Sequence, residues 1–274
     1  MLPDQRRERI LHLVRSVGGV RVSELVEQLG VSDMTIRRDI EVLAGRGLVA
    51  RVHGGATALG DRSADEPGFT AKSVQQRVEK RAIARAAVRL VQPGAAVALS
   101  AGTTTYEIAR ELCAVPDLTV VTNSFPAAQL LHEAGRSDLT VVLTGGTRTP
   151  SDALVGPVAV EALRGLHVDT VFLGVHGFDE RGFTTPNLVE AETNRALLAC
   201  ARRRVVTADH TKWGVVGLAS ITGLEDIEVL VVDDRIQPEA LIALEKAVPE
   251  VLLAPTDSIR AAAPHDADGG RAGR

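Results

Sequence analysis

The sequence predicts an α/β protein in two parts: an N-terminal winged helix-turn-helix followed by a mostly parallel, doubly wound α/β domain. Three features support this prediction. Short helical stretches that end at glycines come before Leu48, and a β-prone hairpin follows them. From about Val78 onward, short runs rich in Val and Leu alternate with helical stretches. Near-continuous apolar strands joined by helices are typical of a parallel sheet that is covered on both faces.

The N-terminal part contains three predicted helices. In the first, residues 6–17, apolar side chains recur at spacings of three and four residues. Ser23 is the expected N-cap of a short second helix, which ends at Gly30. Ser32 is the expected N-cap of the third helix, and a tight turn between two short helices predicts a helix-turn-helix. The apolar inner face of the third helix consists of Ile36, Ile40 and Leu43.

The domain boundaries follow from changes in this pattern. A hairpin with its turn at residues 53–55 predicts a wing after the third helix. Periodicity is then lost, which indicates a linker, and the last residues are rich in Ala, Asp, Gly and Arg, which is typical of disorder. The predicted segments are 1–59 for the winged helix-turn-helix, 60–75 for the linker, 76–254 for the α/β domain and 255–274 for a disordered tail.

Strands and helices alternate in the predicted α/β domain. The strands are expected at residues 95–99, 118–121, 139–143, 170–175, 204–207 and 228–232. The helices are expected at 78–91, 105–113, 125–135, 157–166, 189–201 and 238–247.

Polar and basic side chains lie on the side of the third helix that faces away from its apolar stripe. Two adjacent arginines alone would also fit an ordinary solvated helix face. The complete order of helix, turn, helix and wing favours DNA binding instead, because guanidinium groups can bind guanine or phosphate with two hydrogen bonds. The residues expected to contact DNA are Ser23, Ser32, Asp33, Thr35, Arg37, Arg38, Arg51 and His53.

Charge and composition exclude several classes. The net charge is −4, yet residues 1–57 contain nine arginines and seven acidic residues, which indicates a local basic patch. Aromatic residues make up only 3%, which argues against a stacking surface for single strands. The charged first residues and the lack of a long apolar run predict a cytoplasmic chain without membrane contact. Cys113 and Cys200 lie far apart, so free thiols are expected, with no metal and no cofactor.

Turns rich in glycine and hydroxyl groups follow successive strands of the predicted sheet. In a parallel sheet these turns meet at the carboxyl edge, where open α/β folds bind ligands. Backbone N–H groups, hydroxyls and helix N-termini there favour an anion, and Lys212 adds a positive charge. The residues expected to bind the ligand are Ser100, Gly102, Thr103, Thr104, Thr105, Asn123, Ser124, Gly145, Gly146, His176, Gly177 and Lys212.

Several motifs make the chain similar to the DeoR family of bacterial transcriptional regulators. They are Thr35-Ile36-Arg37-Arg38-Asp39, Val52-His53-Gly54-Gly55-Ala56, Ala101-Gly102-Thr103-Thr104 and Ala208-Asp209-His210-Thr211-Lys212. The resemblance implies that residues 20–39 form the DNA-contacting helix-turn-helix. It also implies a C-terminal domain similar in fold to ribose-5-phosphate isomerase, with a phosphorylated sugar or related intermediate as inducer.

Three positions differ from the common pattern of that family. Ser100 stands where an acidic residue is usual, His176 where Asp or Asn is usual, and Asn194 where Lys is usual. All three lie in or near segments that the resemblance assigns to the ligand site.

Three functions are compatible with these observations. We expect a non-enzymatic regulator that represses a sugar or carbohydrate operon and leaves double-stranded operator DNA when a phosphorylated sugar binds. A homodimer or homotetramer is expected, since one winged helix gives little affinity alone. One alternative is a sugar-phosphate isomerase with a DNA-binding appendage, in which Asp209, Glu190, Glu192 or His176 would be the general base. Another is an architectural DNA-binding protein without a ligand.

Overall fold

The computed structural model of the chain describes residues 2–17, 19–46, 48–52, 54–57 and 68–256. The chain divides between Asp65 and Glu66 into two compact units, and each unit has a hydrophobic core of its own. Within the described residues, no helix is both long enough and apolar enough to cross a lipid bilayer.

The first unit is a winged helix-turn-helix, as predicted. Its elements are α1 (Pro3–Val17), β1 (Gly19–Arg21), α2 (Val22–Leu29), α3 (Asp33–Gly45), β2 (Ala50–Val52) and β3 (Gly55–Thr57). The three strands form an antiparallel sheet in the order β1-β3-β2, so β3 pairs on both sides. The strand β1 was not predicted, because three residues are too few to show a period of two.

The ends of the two central helices follow their capping residues, with one correction. The Ser32 hydroxyl accepts a hydrogen bond from the backbone N–H of Thr35, so the predicted N-cap of α3 is confirmed. Gly30 ends α2 with a φ of 63°, as expected for a C-cap glycine. The prediction that Ser23 caps α2 is wrong. Arg21 occupies the cap position, because its backbone N–H donates to the Glu24 carboxylate over 3.0 Å and starts the helix earlier.

A buried carboxylate joins α3 to α1 beside the core of the first unit. Asp39 on α3 is only 2% exposed and accepts hydrogen bonds from Nε of Arg6 at 2.6 Å and Nε of Arg7 at 2.9 Å. The two arginines thus neutralise a charge that would be costly to bury alone. The core itself consists of Ile10, Val14, Val22, Leu25, Ile36, Ile40, Leu43, Val49 and Ala56.

The second unit is a doubly wound α/β domain, as predicted. Its helices are α4 (Phe69–Ser73), α5 (Arg77–Val88), α6 (Thr103–Leu112), α7 (Phe125–Glu133), α8 (Pro157–Arg164), α9 (Leu188–Ala199) and α10 (Pro238–Ala247), with a 3-10 turn at His210–Lys212. Its strands are β4 (Ala96–Leu99), β5 (Leu118–Thr122), β6 (Leu139–Leu143), β7 (Thr147–Arg148), β8 (Leu154–Val155), β9 (Val168–Gly174), β10 (Gly177–Asp179), β11 (Gly182–Thr185), β12 (Ala201–Ala208), β13 (Ala219–Thr222), β14 (Val229–Asp233) and β15 (Glu250–Ala254).

Seven of these strands form one parallel sheet in the order β15-β14-β12-β9-β4-β5-β6. From β4 the chain moves outward through β5 to β6, and then returns to β9 on the other side of β4. The direction of winding therefore reverses between β4 and β9. In open α/β sheets, a ligand crevice lies at the carboxyl ends of the two strands that flank such a reversal.

Adjacent residues of each central strand point into different cores. Val205 of β12 belongs to the core cluster that contains side chains of α5, α6 and α7, whereas Val206 belongs to the cluster that contains side chains of α8, α9 and α10. Because both faces of the sheet are covered in this way, the central strands contain continuous apolar runs, such as Val171–Leu173 of β9.

Several features of the second unit were not predicted, among them the β7–β8 pair. The helix α4 forms within the stretch expected to be a linker, and Thr256, expected in the tail, is buried and bonds to Asp234. The edge strand β15 and the small antiparallel sheet of β10, β11 and β13 were also missed. The strands of the small sheet are too short, or too rich in Gly and Thr, to show a clear period, whereas the apolar run of β15 was a signal that could have found it. The rest of the predicted tail, and the part of the predicted linker before residue 68, lie outside the described residues.

The contacts of Asp39 with Arg6 and Arg7 are expected to contribute to the free energy of unfolding of the first unit. In Asp39→Ala, two largely buried guanidinium groups lose their common partner, so we expect the free energy of unfolding to fall by about 3 kcal/mol. The control is Glu41→Ala, since the Glu41–Arg51 pair is exposed and should contribute less than about 1 kcal/mol. Urea denaturation followed by helical circular dichroism measures both variants, and equal losses would contradict the assignment.

Candidate functional site

The first turns of α3 present the predicted DNA-contacting side chains to solvent. Ser32, Asp33, Arg37 and Arg38 are exposed, and Thr35 is half-buried. The hydroxyls of Ser32 and Thr35 lie 2.9 Å apart, so each is oriented by the other. The exposed face of this helix therefore offers hydroxyl and guanidinium donors on a rigid element.

The two adjacent arginines of α3 differ in what binds them. The Arg37 guanidinium is held by Asp33 one turn earlier, through a close Nε–Oδ1 contact and an Nη2–Oδ2 contact of 3.3 Å. The Arg38 side chain forms no hydrogen bond or ion pair with any described residue. Arg38 is therefore available to a partner at once, whereas Arg37 must first leave Asp33.

The other predicted DNA contacts lie on α2 and the wing. Ser23 is exposed in the first turn of α2, and Arg51 on β2 forms an exposed ion pair of 2.7 Å with Glu41. His53 lies outside the described residues. Sequence reasoning missed Met34, whose side chain is 80% exposed at the start of α3. Its position next to Asp33, away from the Ile36 stripe, was a signal that could have found it.

The second unit has a cleft at the carboxyl ends of β4 and β9, where the direction of winding reverses. It encloses about 700 Å3 of space, including the solvent at its open mouth. The residues that line it are Phe69, Lys72, Ala101, Gly102, Thr103, Thr104, Asn123, Ser151, Ala153, Gly174, Val175, His176, Thr185, Glu190, Asn194 and Lys212. Six residues of the predicted ligand set are thus brought together: Gly102, Thr103, Thr104, Asn123, His176 and Lys212.

The N-terminus of α6 faces this cleft. Gly102 precedes the helix with a positive φ of 156°, a conformation that a residue with a Cβ rarely adopts. Its carbonyl accepts the first helical hydrogen bond, from Tyr106. The backbone N–H groups before Tyr106 therefore have no partner within the helix, and together with the helix dipole they favour an anion.

Three of the predicted ligand residues instead hold the loops in place. The buried Ser100 hydroxyl accepts from the N–H of Gly174 at 2.9 Å, which joins the ends of β4 and β9. Thr105 donates to the carbonyl of Gly102, and Ser124 caps α7. All three lie outside the lining of the cleft, as do Gly145 and Gly146, between β6 and β7, and Gly177, the first residue of β10.

Asn123 lines the cleft and also braces it. Its side-chain oxygen accepts from the N–H of Ala101 at 2.8 Å, and its amide donates to the carbonyl of Leu154 at 3.0 Å. This one side chain thus ties the turn after β4 to the β7–β8 hairpin region.

Charged groups of both signs surround the cleft. Lys72 and Lys212 contribute positive charge, and the Glu190 carboxylate accepts hydrogen bonds from Thr149 at 2.8 Å and from Ser151. Sequence reasoning missed Lys72 because it lay in the predicted linker. Glu190 and Asn194 were named as a candidate base and as a departure from the family pattern, but not as ligand residues, and both line the cleft. Burial of the Lys80 ammonium lowers its pKa to about 8, and this group donates at 2.7 Å to the carbonyls of Lys72 and Gln75. Lys80 therefore anchors α4 at the rim of the cleft.

The imidazole of His176 is neutral at physiological pH. Burial, and then the nearby positive charges of Lys212 and Lys72, lower its pKa to about 4. It therefore offers one N–H donor and one nitrogen acceptor.

Comparison with known families agrees with this two-unit architecture. Residues 6–61 match the DeoR-like helix-turn-helix domain, and residues 75–234 match the DeoR C-terminal sensor domain. Curated relatives span nearly the whole chain. A protein of Escherichia coli O157:H7, named as a candidate repressor of the aga operon, is 38% identical, with coverage of 91% of this chain and 93% of its own.

Two further relatives are similar over comparable lengths. The transcriptional regulator GlpR of Haloferax volcanii is 37% identical, with coverage of 90% of this chain and 96% of its own. The lactose phosphotransferase system repressor of Staphylococcus aureus (strain N315) is 33% identical, with coverage of 84% and 91%.

Among solved structures, ribose 5-phosphate isomerase A from Neisseria gonorrhoeae is similar over 54% of this chain and 57% of its own, with a TM-score of 0.39 and 16% identity. A likeness of this size says nothing about activity. The matches to both family domains and to the full-length relatives show that the chain belongs to the DeoR family and is a DNA-binding transcriptional regulator.

Proposed function

We propose that the chain represses a sugar or carbohydrate catabolic operon and leaves its operator when a phosphorylated sugar binds the cleft of the second unit. The observation that carries this proposal is the meeting of Lys72, Lys212 and the N-terminus of α6 at one cleft. Two ammonium groups and a helix N-terminus are suited to a phosphate. The names of relatives, which refer to aga and lactose systems, support a sugar as the remainder of the ligand.

DNA contact is proposed for the exposed face of α3 and for the wing. Ser32, Thr35 and Arg38 are positioned to donate to base edges or phosphates, with Arg37 joining after it leaves Asp33. Asp33 orients Arg37, and Arg51 and His53 are proposed to contact the flanking backbone together with Ser23. We add Met34 to this set, since an exposed apolar side chain here suits the methyl group of thymine.

Catalysis is not part of the proposed function. A sugar-phosphate isomerase needs a positioned general base. Ser100 supplies no carboxylate, Asp209 is 1% exposed and bound to Thr211, and Glu190 already accepts from Thr149 and Ser151. The relatives are named as regulators, which supports binding without turnover.

Self-association in the cytoplasm is also proposed, as a homodimer or homotetramer. Exposed large apolar side chains on the second unit support it, since such side chains are commonly covered in a protein interface. The most exposed are Leu188, Val158 and Val74.

The arginine pair gives a test of the DNA interface. Arg38→Ala removes an unengaged guanidinium and should weaken operator binding by about 1–3 kcal/mol. Arg37→Ala should cost less, because Arg37 must break its contact with Asp33 before it can bind DNA. Fluorescence anisotropy with labelled operator measures both variants, and the exposed Arg164→Ala on α8 is the control. Unchanged affinity in both arginine variants would refute this placement.

Lys212 gives a test of the effector site. The probe is the compound that raises the melting temperature of the full chain most among pentose and hexose phosphates. In Lys212→Ala, the concentration of this compound that releases half of the operator should rise at least about tenfold, since a charge-assisted hydrogen bond contributes about 1.5–3 kcal/mol.

Lys246→Ala is the matched control, because Lys246 is exposed on α10 outside the cleft. Release of the operator from Lys212→Ala at the same concentration as from wild type would show that the effector binds elsewhere.

A further inference from the structure

The imidazole of His176 is the least satisfied polar group in the described part of the chain. Three buried side-chain nitrogens there lack a hydrogen-bond partner, and two of them are Nδ1 and Nε2 of His176. The third is Nε of Arg204, whose guanidinium already pairs with Glu228. A buried donor and acceptor without partners are unfavourable, and in native proteins such groups call for a specific explanation.

The place of His176 supplies that explanation. The residue lines the cleft directly after β9, and its backbone is fixed by a hydrogen bond of 3.2 Å from its N–H to the carbonyl of Thr184. The ring is therefore held in a site where a ligand can reach it. Lys72 and Lys212 are the charged groups that act on it, and both disfavour a protonated ring. The cleft thus presents a neutral imidazole, with one donor and one acceptor.

A second unengaged side chain faces the same cleft. Asn194 on α9 is only 8% exposed, and its amide forms no hydrogen bond with any described residue. It offers one oxygen acceptor and two N–H donors, again without charge. The cleft therefore contains two uncharged groups with unused donors and acceptors, in addition to its lysines.

We infer that His176 and Asn194 form a specificity subsite for the uncharged, hydroxyl-bearing part of the effector. This inference rests on the proposed function, in which the lysines take the phosphate. A hydroxyl both donates and accepts, so hydroxyl groups can satisfy both nitrogens of a neutral ring. A carboxylate or a second phosphate that is ionised at neutral pH mainly accepts hydrogen bonds. It would leave the acceptor nitrogen of His176 without a donor and next to a negatively charged oxygen. The class of ligand is therefore a polyhydroxylated monophosphate, rather than a bisphosphate or a phosphorylated sugar acid.

Calorimetric titration of the full chain tests this inference with five probes: inorganic phosphate, ribose 5-phosphate, fructose 6-phosphate, fructose 1,6-bisphosphate and free ribose. We expect the better sugar monophosphate to bind wild type at least about tenfold more tightly than inorganic phosphate, and more tightly than the bisphosphate. In His176→Leu and in Asn194→Leu, the ratio between sugar monophosphate and inorganic phosphate should fall at least about tenfold. The matched control is His132→Leu, at an exposed histidine of α7, where the ratio should equal that of wild type.

A structural role for His176 would have a different signature. His176→Leu breaks no hydrogen bond of the side chain, so its melting temperature should not fall below that of wild type. A large fall would indicate that the ring supports the fold and would count against the inference. If His176→Leu does not fold, Asn194→Leu still allows the ratio of the affinities for sugar monophosphate and inorganic phosphate to be measured.

The outcomes separate this inference from the proposed function. An unchanged ratio in both variants, or tightest binding of the bisphosphate by wild type, overturns the subsite while leaving a phosphate site intact. Binding of free ribose that needs His176, without binding of any phosphate, supports the subsite and refutes the phosphate proposal. Failure of every probe to bind wild type overturns both.

Discussion

The pairing of β4 with β9 sets the geometry of the second unit. These neighbours lie far apart in the chain, and their parallel register sets Leu99 beside Phe172. The segments that follow therefore emerge side by side, and the Ser100–Gly174 hydrogen bond holds them together. Because the direction of winding reverses here, the loops diverge above the sheet and leave the cleft between them. The N-terminus of α6 and the imidazole of His176 lie at one cleft because this ladder sets the ends of β4 and β9 side by side.

The polarity of the cleft follows from how each group is held. Lys80 binds the carbonyls of Lys72 in α4 and of Gln75 just after it, which holds Lys72 at the rim, while Glu190 is held by hydroxyls from the β7–β8 segment. Burial together with the two lysines keeps His176 neutral. The cleft thus combines charges of both signs with uncharged hydrogen-bonding groups, which supports the proposed sugar monophosphate. In the first unit, Asp39 has an analogous structural role, since it joins α3, which carries Arg38, to Arg6 and Arg7 of α1.

Local patterns predicted the fold well because each strand and cap carries its own signal. Apolar runs marked six of the seven parallel strands, and Ser32 marked the start of α3. The site was harder to predict, since residue type does not reveal the direction of a side chain. Ser100, Thr105 and Ser124 stand at the sheet edge as expected, yet their hydroxyls bond to the backbone. Lys72 and Asn194 reach the cleft through tertiary packing of α4 and α9, which no local period shows.

Occupation of the cleft is proposed to weaken operator binding by the first unit. The most direct test is the affinity of the full chain for its tightest sugar phosphate, measured by calorimetry with and without saturating operator. If the effector lowers the affinity for operator by some factor, thermodynamic linkage requires operator to lower the affinity for the effector by the same factor. We expect equal factors of about 5 to 150 in both directions. An effector affinity that is the same with and without operator would contradict it.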